Sequence, residues 1–272
     1  MDTVGRFADY RDHESLEESS QADPDSPRWS ARDGLRVWLF SIVSVIVLPL
    51  FALAALAMVS RIRGESGPGS DLESLAQTPR GALIQVISTV VAHVLTLAIC
   101  LRVVMRASDR HFAVPLGLRW PKGSDASTKT VALMGSFSAV AMTVLLASLW
   151  PLQTNLIFGL LLSSSNAAQI ATILMIIVSA PLAEEIVYRG VLFGSVRRCF
   201  GNRASTIIVA LLFALVHVPQ YSGSLALIAG ITVLSFTVTY VRATTKAILP
   251  GILIHAAYNA SGVIFILLVR QN

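Results

Sequence analysis

Residues 170–189 read IATILMIIVSAPLAEEIVYR and place two adjacent carboxylates, Glu184 and Glu185, at the end of a long apolar run. The residues after Asp125 contain no other acidic side chain. A charge within a membrane span costs at least about 2.5–3.5 kcal/mol on insertion scales, so such residues are functional by default. The stretch therefore predicts a membrane helix that carries a functional site.

The composition extends this prediction to the whole chain. Of the 272 residues, 54% are hydrophobic and 14% are charged, whereas a soluble domain carries about 25% charged residues. The apolar residues occur in blocks of about 20, the length that spans a hydrocarbon core. We expect an all-α, polytopic transmembrane helix bundle with about seven spans. The expected spans are Val37–Val59, Ala82–Val104, Val131–Leu152, Ala168–Tyr188, Ser205–Val218, Ser224–Val241 and Ala247–Val269.

Charge patterning predicts the organisation and the orientation. Residues 1–35 are acidic and polar, and we interpret them as a disordered cytosolic N-terminal arm. Residues 36–152 are assigned to N-terminal transmembrane helices and residues 168–269 to a transmembrane core with the candidate site. Counting Lys and Arg in the connections gives 17 on the side of the N-terminus and 4 on the other. This bias predicts a cytoplasmic N-terminus. We expect an integral membrane protein, and its length and style suggest a bacterial plasma membrane. The basic loops are expected to contact the lipid bilayer, and no nucleic-acid partner is expected.

Two histidines, His217 and His255, also lie inside apolar runs. Glu184 lies 17 residues before Gly201, and His217 lies 16 residues after it. If two helices form a hairpin that turns at Gly201, both side chains lie about 25 Å from the turn. His255 and Asn259 reach a comparable depth in the last span. The spacing thus predicts that three helices deliver four polar side chains to one level.

Helical periodicity separates the two glutamates. Arg189 lies four residues after Glu185, on the same helical face. Adjacent residues point about 100° apart, so Glu184 is expected to face the interior of the bundle. Pro181 is expected to kink this helix just before the glutamates and to free a backbone carbonyl. His93, in the second span, is interpreted as a residue that packs between helices or as a polar residue that lines a pore.

Three short motifs resemble those of a known family. EEIVYR at residues 184–189 resembles the EExxxR motif of the CPBP intramembrane proteases (Abi family), which include the type II CAAX prenyl endopeptidases. FALVH at residues 213–217 is similar to the FxxxH motif, and HAAYN at residues 255–259 to the HxxxN motif. The resemblance covers about residues 168–262, with the motifs in family order, each in an expected span.

The resemblance implies an intramembrane endopeptidase that hydrolyses a peptide bond of a membrane protein or peptide. Glu184 would be the general base that activates a water molecule, with His217 helping to hold the water. His255 and Asn259 would stabilise the oxyanion. The implied supporting residues are Glu185, Arg189 and Phe213.

The metal requirement stays open at this stage. Glu184, His217 and His255 could form a His₂Glu zinc site, which would make the protein a metalloprotease. The scheme with a glutamate and a water molecule requires no cofactor, and the sequence has no HExxH motif. We favour the scheme without a tightly bound divalent metal.

Two other functions compete with the enzyme. A non-catalytic binding or immunity protein of the same fold would hold a membrane partner, but it has no need of the complete motif set. A proton-coupled transporter also uses carboxylates and histidines within the membrane. Transporters are typically built from internal repeats, and the sequence shows none.

Overall fold

In the computed structural model, nine helices account for most of the described chain, and the described residues contain no strand. The prediction of an all-α transmembrane bundle is therefore confirmed. Six of these helices are long and apolar enough to cross a membrane. The described residues are 29–64, 72–107, 111–121, 123, 125–149, 156–162, 165–221 and 224–269. The helices are α1 (Ala31–Ile62), α2 (Leu72–Gln77), α3 (Pro79–Ala107), α4 (Ala113–Leu116), α5 (Ala126–Leu149), α6 (Leu156–Leu161), α7 (Asn166–His217), α8 (Leu225–Thr245) and α9 (Leu249–Val269).

α7 is a long helical hairpin that reverses at Gly201. This residue has φ 73° and ψ 179°, a conformation that glycine adopts at little cost. The chain turns back on itself there, since the rings of Tyr188 and Phe213 lie 4.9 Å apart. We call residues 166–200 the first arm and residues 202–217 the second arm. The fourth and fifth expected spans are these two arms, which is why about seven expected spans correspond to six long helices.

α1 begins earlier than expected. Ser30 caps the helix by accepting the backbone N–H of Asp33, and the Asp33 carboxylate accepts from the backbone N–H of Ser30. Trp29 is buried, and its indole N–H donates to the carbonyl of Val191 at 3.0 Å. The predicted limit of the arm at residue 35 is therefore wrong for residues 29–35, because a cap and a buried indole order them. Residues 1–28 lie outside the described residues.

α8 is the most enclosed of the membrane-crossing helices. Half of the residues in its most apolar 18-residue stretch are buried, against 6% for the corresponding stretch of α5. The two helices approach closely at two glycines: Gly135 of α5 lies against Thr237, and Gly230 of α8 lies against Thr143. A methyl group at either position would collide with the threonine. Small residues of this kind allow membrane helices to pack backbone to backbone.

α1 and α3 pack together on the other side of the α7 hairpin. The hydroxyls of Ser44 and Thr96 form a hydrogen bond of 3.3 Å between them. Gly34 of α1 also approaches Ser195 of the first arm so closely that a side chain would not fit. The hairpin is thus held between α1 and α3 on one side and α8 on the other, and this arrangement surrounds its polar residues with apolar helices.

Candidate active site

The first arm of α7 carries both glutamates on one short α-helical segment, Ala180–Glu185. This segment lies between two π-helical segments, Met175–Ser179 and Ile186–Leu192. In a π-helix the N–H bonds to the carbonyl five residues earlier, and the N–H of Ala180 donates to the carbonyl of Met175 in this way. Such segments are rare in proteins as a whole, and many of those that occur lie at functional sites.

Pro181 creates a gap in this hydrogen-bond pattern. The next donor in the π-helical register would be the N–H of residue 181, but proline has none. The carbonyl of Ile176 therefore lacks the donor that this register would provide. Nδ2 of Asn259 donates to that carbonyl at 2.9 Å. Asn259 thus replaces the missing backbone donor and ties α9 to the first arm.

Glu185 and Arg189 form a buried ion pair, with Nη1 of Arg189 2.9 Å from Oε1 of Glu185. α8 supplies the remaining partners of the guanidinium. Nε donates to Oγ1 of Thr239 at 3.1 Å, and Nη2 donates to Oγ of Ser235 at 2.8 Å. Nε of Arg242 donates to the backbone carbonyl of Arg189 at 2.8 Å. A buried charge requires such partners, and here they fix the position of the Glu185 carboxylate.

His255 of α9 connects the two glutamates. Its Nδ1 lies 3.0 Å from Oε1 of Glu185, and its Nε2 lies 3.8 Å from Oε2 of Glu184. A carboxylate paired with an arginine only accepts, so the ring donates its Nδ1 hydrogen to Glu185. In the neutral ring, Nε2 then carries a lone pair directed towards Glu184.

His217, at the end of the second arm, approaches Glu184 from the other side. Its Nδ1 donates to the carbonyl of Phe213 at 2.7 Å, because a carbonyl only accepts. Its Nε2 lies 4.0 Å from Oε2 of Glu184. This carboxylate oxygen is buried and has no hydrogen-bond partner in the protein. Three acceptor atoms therefore converge on one point, an arrangement suited to a molecule that donates hydrogen bonds.

Phe213 separates the two sides of the site. Its ring is 1% exposed and lies 4.5 Å below the guanidinium carbon of Arg189, in a cation–π contact. The imidazole of His217 packs at 4.6 Å between ring centres, and the imidazole of His255 meets the ring edge at 5.6 Å. The aromatic ring keeps both imidazoles in place and shields the ion pair.

The convergent atoms open onto a cavity of about 760 Å³ between the helices. Most of the residues that line it are apolar, and they come from both halves of the chain. Two of the lining residues that were not assigned to the site from sequence have ring side chains in contact with polar residues of α7. Nδ1 of His93 on α3 lies 2.8 Å from the hydroxyl of Ser179, and the ring of Tyr221 stacks on that of His217 with 6.3 Å between centres. A histidine within a span was a signal for the first, whereas Tyr221 belongs to no motif.

The three convergent side chains do not fit a tetrahedral zinc ion as they stand. Zinc ligands at about 2.0–2.2 Å from the metal lie about 3.4 Å from each other. The distances from Glu184 to His217 and to His255 are 4.0 and 3.8 Å. Within the described ranges, no group of three or more His, Cys, Asp or Glu side chains is placed to hold a metal. The roles assigned to these side chains therefore involve no metal.

The structure thus brings Glu184, His217 and His255 together, and it places Asn259 on the wall of the same cavity. Glu185 and Arg189 lie behind His255 as a buried pair. The sequence prediction of the Glu185–Arg189 pair agrees with this geometry. The two contributions of α8, from its Ser/Thr pair and from Arg242, were not predicted.

The fold and the site together define a class of protein: a helical membrane protein whose own spans enclose a polar site. Residues 166–261 match the family model described as "Type II CAAX prenyl endopeptidase Rce1-like". These residues are therefore similar to this family, and the resemblance that the three motifs indicated is confirmed over this part of the chain. The match supports a protease-type enzyme. No curated protein and no solved structure matches the chain.

Proposed function

We propose that the protein is an intramembrane endopeptidase in which Glu184 activates a water molecule. The observation that carries this proposal is the buried oxygen of Glu184 between two imidazole nitrogens, at 3.8 and 4.0 Å, without a protein partner. Those distances exceed a direct hydrogen bond. They are of the kind that a bridging water molecule spans.

The proposed reaction begins with proton transfer from water to Glu184. The O–H bond of the water breaks, and its oxygen attacks the carbonyl carbon of the peptide. The proton on Glu184 then passes to the amide nitrogen as the C–N bond breaks, which leaves a carboxylic acid and an amine. His217 holds the water through Nε2 during the attack. General-base catalysis of this kind contributes about 10²–10⁴-fold.

Asn259 and His255 are the proposed partners of the oxyanion. One amide hydrogen of Asn259 is used by Ile176, and the side chain has a second one to donate. His255 would donate from Nε2 when that nitrogen is protonated, with Glu185 holding Nδ1. Hydrogen-bond donors that are already in position stabilise a developing negative charge most strongly where the dielectric constant of the site is low.

The surroundings of the site indicate the kind of substrate. The cavity is mostly apolar and lies among helices that cross the membrane. A peptide that enters it must leave water or come from the bilayer. We therefore propose a membrane-associated protein or peptide as the substrate, with no further restriction on its sequence.

The test uses the purified full-length protein in detergent micelles and a defined peptide library, with products identified by mass spectrometry. Wild type is compared with Glu184→Ala and with Glu73→Ala, which removes an exposed carboxylate of α2 away from the site. Each sample is also run with a chelator.

The proposal expects cleavage by the wild type and Glu73→Ala, and none by Glu184→Ala. Cleavage that survives Glu184→Ala would contradict it. Cleavage lost in chelator would show that a metal is required. The rival function, a binding or immunity protein, predicts that Glu184→Ala keeps the cellular phenotype of the wild type at equal membrane levels.

A further inference from the structure

Two of the tyrosines that line the proposed catalytic cavity, Tyr221 and Tyr258, differ in the bonding of their hydroxyl groups. The hydroxyl of Tyr258 on α9 lies 2.9 Å from Oγ1 of Thr143 on α5. Thr143 donates its own hydrogen to the carbonyl of Ala139 at 2.9 Å, so the Tyr258 hydroxyl donates to Thr143. The hydroxyl of Tyr221 has no hydrogen bond to any of the described residues. Its donor is therefore available to a molecule in the cavity.

Tyr221 lies in the short connection between α7 and α8, and hydrogen bonds to both sides fix its backbone. Its N–H donates to the carbonyl of His217 at 3.0 Å, and its carbonyl accepts from the N–H of Ser224 at 2.9 Å. The side chain continues a row of rings that starts with Phe213 and His217. The planes of the Tyr221 and His217 rings differ by only 7°. The phenol is thus held beside the histidine that is proposed to hold the water.

The hydroxyl of Tyr221 keeps its proton and can therefore donate it. A phenol has an ordinary pKa of about 10 and is neutral near pH 7. Burial and the negative charge of Glu184 raise the pKa of Tyr221 further. Because the effect of a charge weakens with distance, the phenol lies in the neighbourhood of the Glu184 carboxylate.

A peptide held for hydrolysis in this cavity presents its backbone carbonyl groups to a mostly apolar wall. An extended segment forms no hydrogen bonds within itself, and a carbonyl that is buried without a donor is unfavourable. The donors of Asn259 and His255 are assigned above to the carbonyl that is attacked. A neighbouring carbonyl therefore requires a donor from another part of the wall.

We propose that the Tyr221 hydroxyl donates a hydrogen bond to a backbone carbonyl oxygen of the bound peptide, next to the bond that is cleaved. The inference rests on the proposed function, since it takes the occupant of the cavity to be a peptide. This bond is present before and during the reaction, so it contributes to binding and not to the rate of the chemical step. Such a donor recognises the backbone and places no demand on the side chains of the substrate.

The test changes each of the two tyrosines to phenylalanine, which keeps the ring and removes only the hydroxyl. Binding is measured with the full-length protein in detergent micelles, in a Glu184→Gln background so that nothing is cleaved. The probe is a short, uncharged, apolar peptide that is capped at both ends and carries a fluorescent label. Fluorescence polarisation gives its dissociation constant for Glu184→Gln alone and combined with Tyr221→Phe or Tyr258→Phe, and empty micelles give the background.

Tyr221→Phe is expected to weaken binding about two- to tenfold, the usual contribution of one hydrogen bond, whereas Tyr258→Phe should leave it unchanged. Thermal melts should show the opposite order, because only Tyr258 loses a bond within the protein. Binding that is unaffected by Tyr221→Phe, or an equal loss in both variants, would overturn the proposal. A probe that binds none of the three proteins would do the same. So would a lower unfolding midpoint for Tyr221→Phe than for Tyr258→Phe, which would make the Tyr221 hydroxyl structural.

Cleavage rates with Glu184 intact separate this inference from the proposed function. Tyr221→Phe should then raise KM by about two- to tenfold and leave kcat close to that of the wild type. A fall in kcat at constant KM would assign the hydroxyl to the transition state and refute the binding role. If the wild type cleaves nothing and Tyr221→Phe still weakens binding of the probe, proteolysis is refuted and Tyr221 remains a peptide-binding residue.

Discussion

Glu184 and Glu185 are neighbours in sequence and lie in opposite surroundings. The Glu185 side chain is fully buried, and its Oε1 is bonded to Arg189 and His255, whereas the Glu184 side chain is 25% exposed. Oε2 has no hydrogen-bond partner in either carboxylate, but only that of Glu184 lies between two imidazole nitrogens, at 3.8 and 4.0 Å. One carboxylate is held by the architecture and the other faces the cavity. The difference teaches that one helical turn can separate a side chain that stabilises the fold from one that is available for chemistry.

The comparison is tested most strongly by removing one carboxylate charge at a time. Glu184→Gln should lower cleavage by about 10²–10⁴-fold, because the amide cannot accept the proton from water. The midpoint of thermal unfolding in micelles should stay close to that of the wild type. Rates come from the peptide assay and midpoints from a fluorescence melt.

Glu185→Gln is the matched variant for this prediction. It should lower the unfolding midpoint, because Arg189 would keep a buried charge without its carboxylate. If Glu184→Gln proved to be the less stable of the two variants, the division of roles between the two glutamates would be wrong.

Arg189→Met tests the buried ion pair of Glu185 and Arg189 without changing Glu184. It leaves the Glu185 carboxylate buried without its cation, and the loss of one partner of a buried pair costs about 3–5 kcal/mol. Folded protein recovered from membranes should fall sharply. The double variant Glu185→Met/Arg189→Met should recover much of that loss and should remain weakly active, because His255 loses its carboxylate partner. A double variant as unstable as the single one would refute the role of the pair.

Asn259→Ala tests the two roles proposed for this side chain, which are to stabilise the oxyanion and to donate to the carbonyl of Ile176. It should lower cleavage by about 10²-fold through the lost oxyanion donor. It should also destabilise the protein by about 1–3 kcal/mol, because the carbonyl of Ile176 loses its donor. Pro181→Ala restores a backbone N–H at that point of the helix.

The combined variant Pro181→Ala/Asn259→Ala should therefore melt closer to the wild type and still cleave slowly. Thermal melts and cleavage rates of the four proteins form a double-mutant cycle. Recovery of both stability and activity in the combined variant would show that Asn259 is purely structural.

Gly251→Ala is expected to have the smallest effect of the series. A methyl group there would lie 3.1 Å from Oε2 of Glu185, so the carboxylate must shift by a few tenths of an ångström. We expect the cost of this overpacking to be largely offset by the better helix propensity of alanine, about 1 kcal/mol, which leaves a small net loss of stability. Gly262→Ala on the same helix meets nothing within 4 Å and should be neutral or slightly stabilising. Thermal melts of the two variants measure the difference. Equal midpoints would mean that the surroundings of Glu185 are less tightly packed than described.

Spacing along the chain was sufficient to predict the hairpin and the level of the site. Glu184 and His217 are nearly equidistant from Gly201, and they meet across the hairpin, as do Tyr188 and Phe213. Predicting which residues meet across a hairpin requires only the position of the turn residue and the rise per residue of a helix. The pairing of Glu185 with Arg189 follows in the same way from four-residue spacing.

The environment of the pair could not be predicted in this way. Ser235 and Thr239 are ordinary residues of a membrane helix, and their contact with Arg189 depends on how α8 rotates against α7. The π-helical register has no simple sequence signature either. Contacts between helices far apart in sequence depend on packing, which periodicity does not report. The start of α1 was placed too late for a similar reason, because the burial of Trp29 depends on Val191.

The equal reach of the two arms on either side of Gly201 also limits how this segment can diverge. One residue inserted between Glu184 and the bend would rotate the carboxylate by about 100° and raise it by about 1.5 Å relative to His217. Insertions and deletions within either arm should therefore be rare among functional descendants. Length variation should be confined to the loops that join the hairpin to α6 and α8.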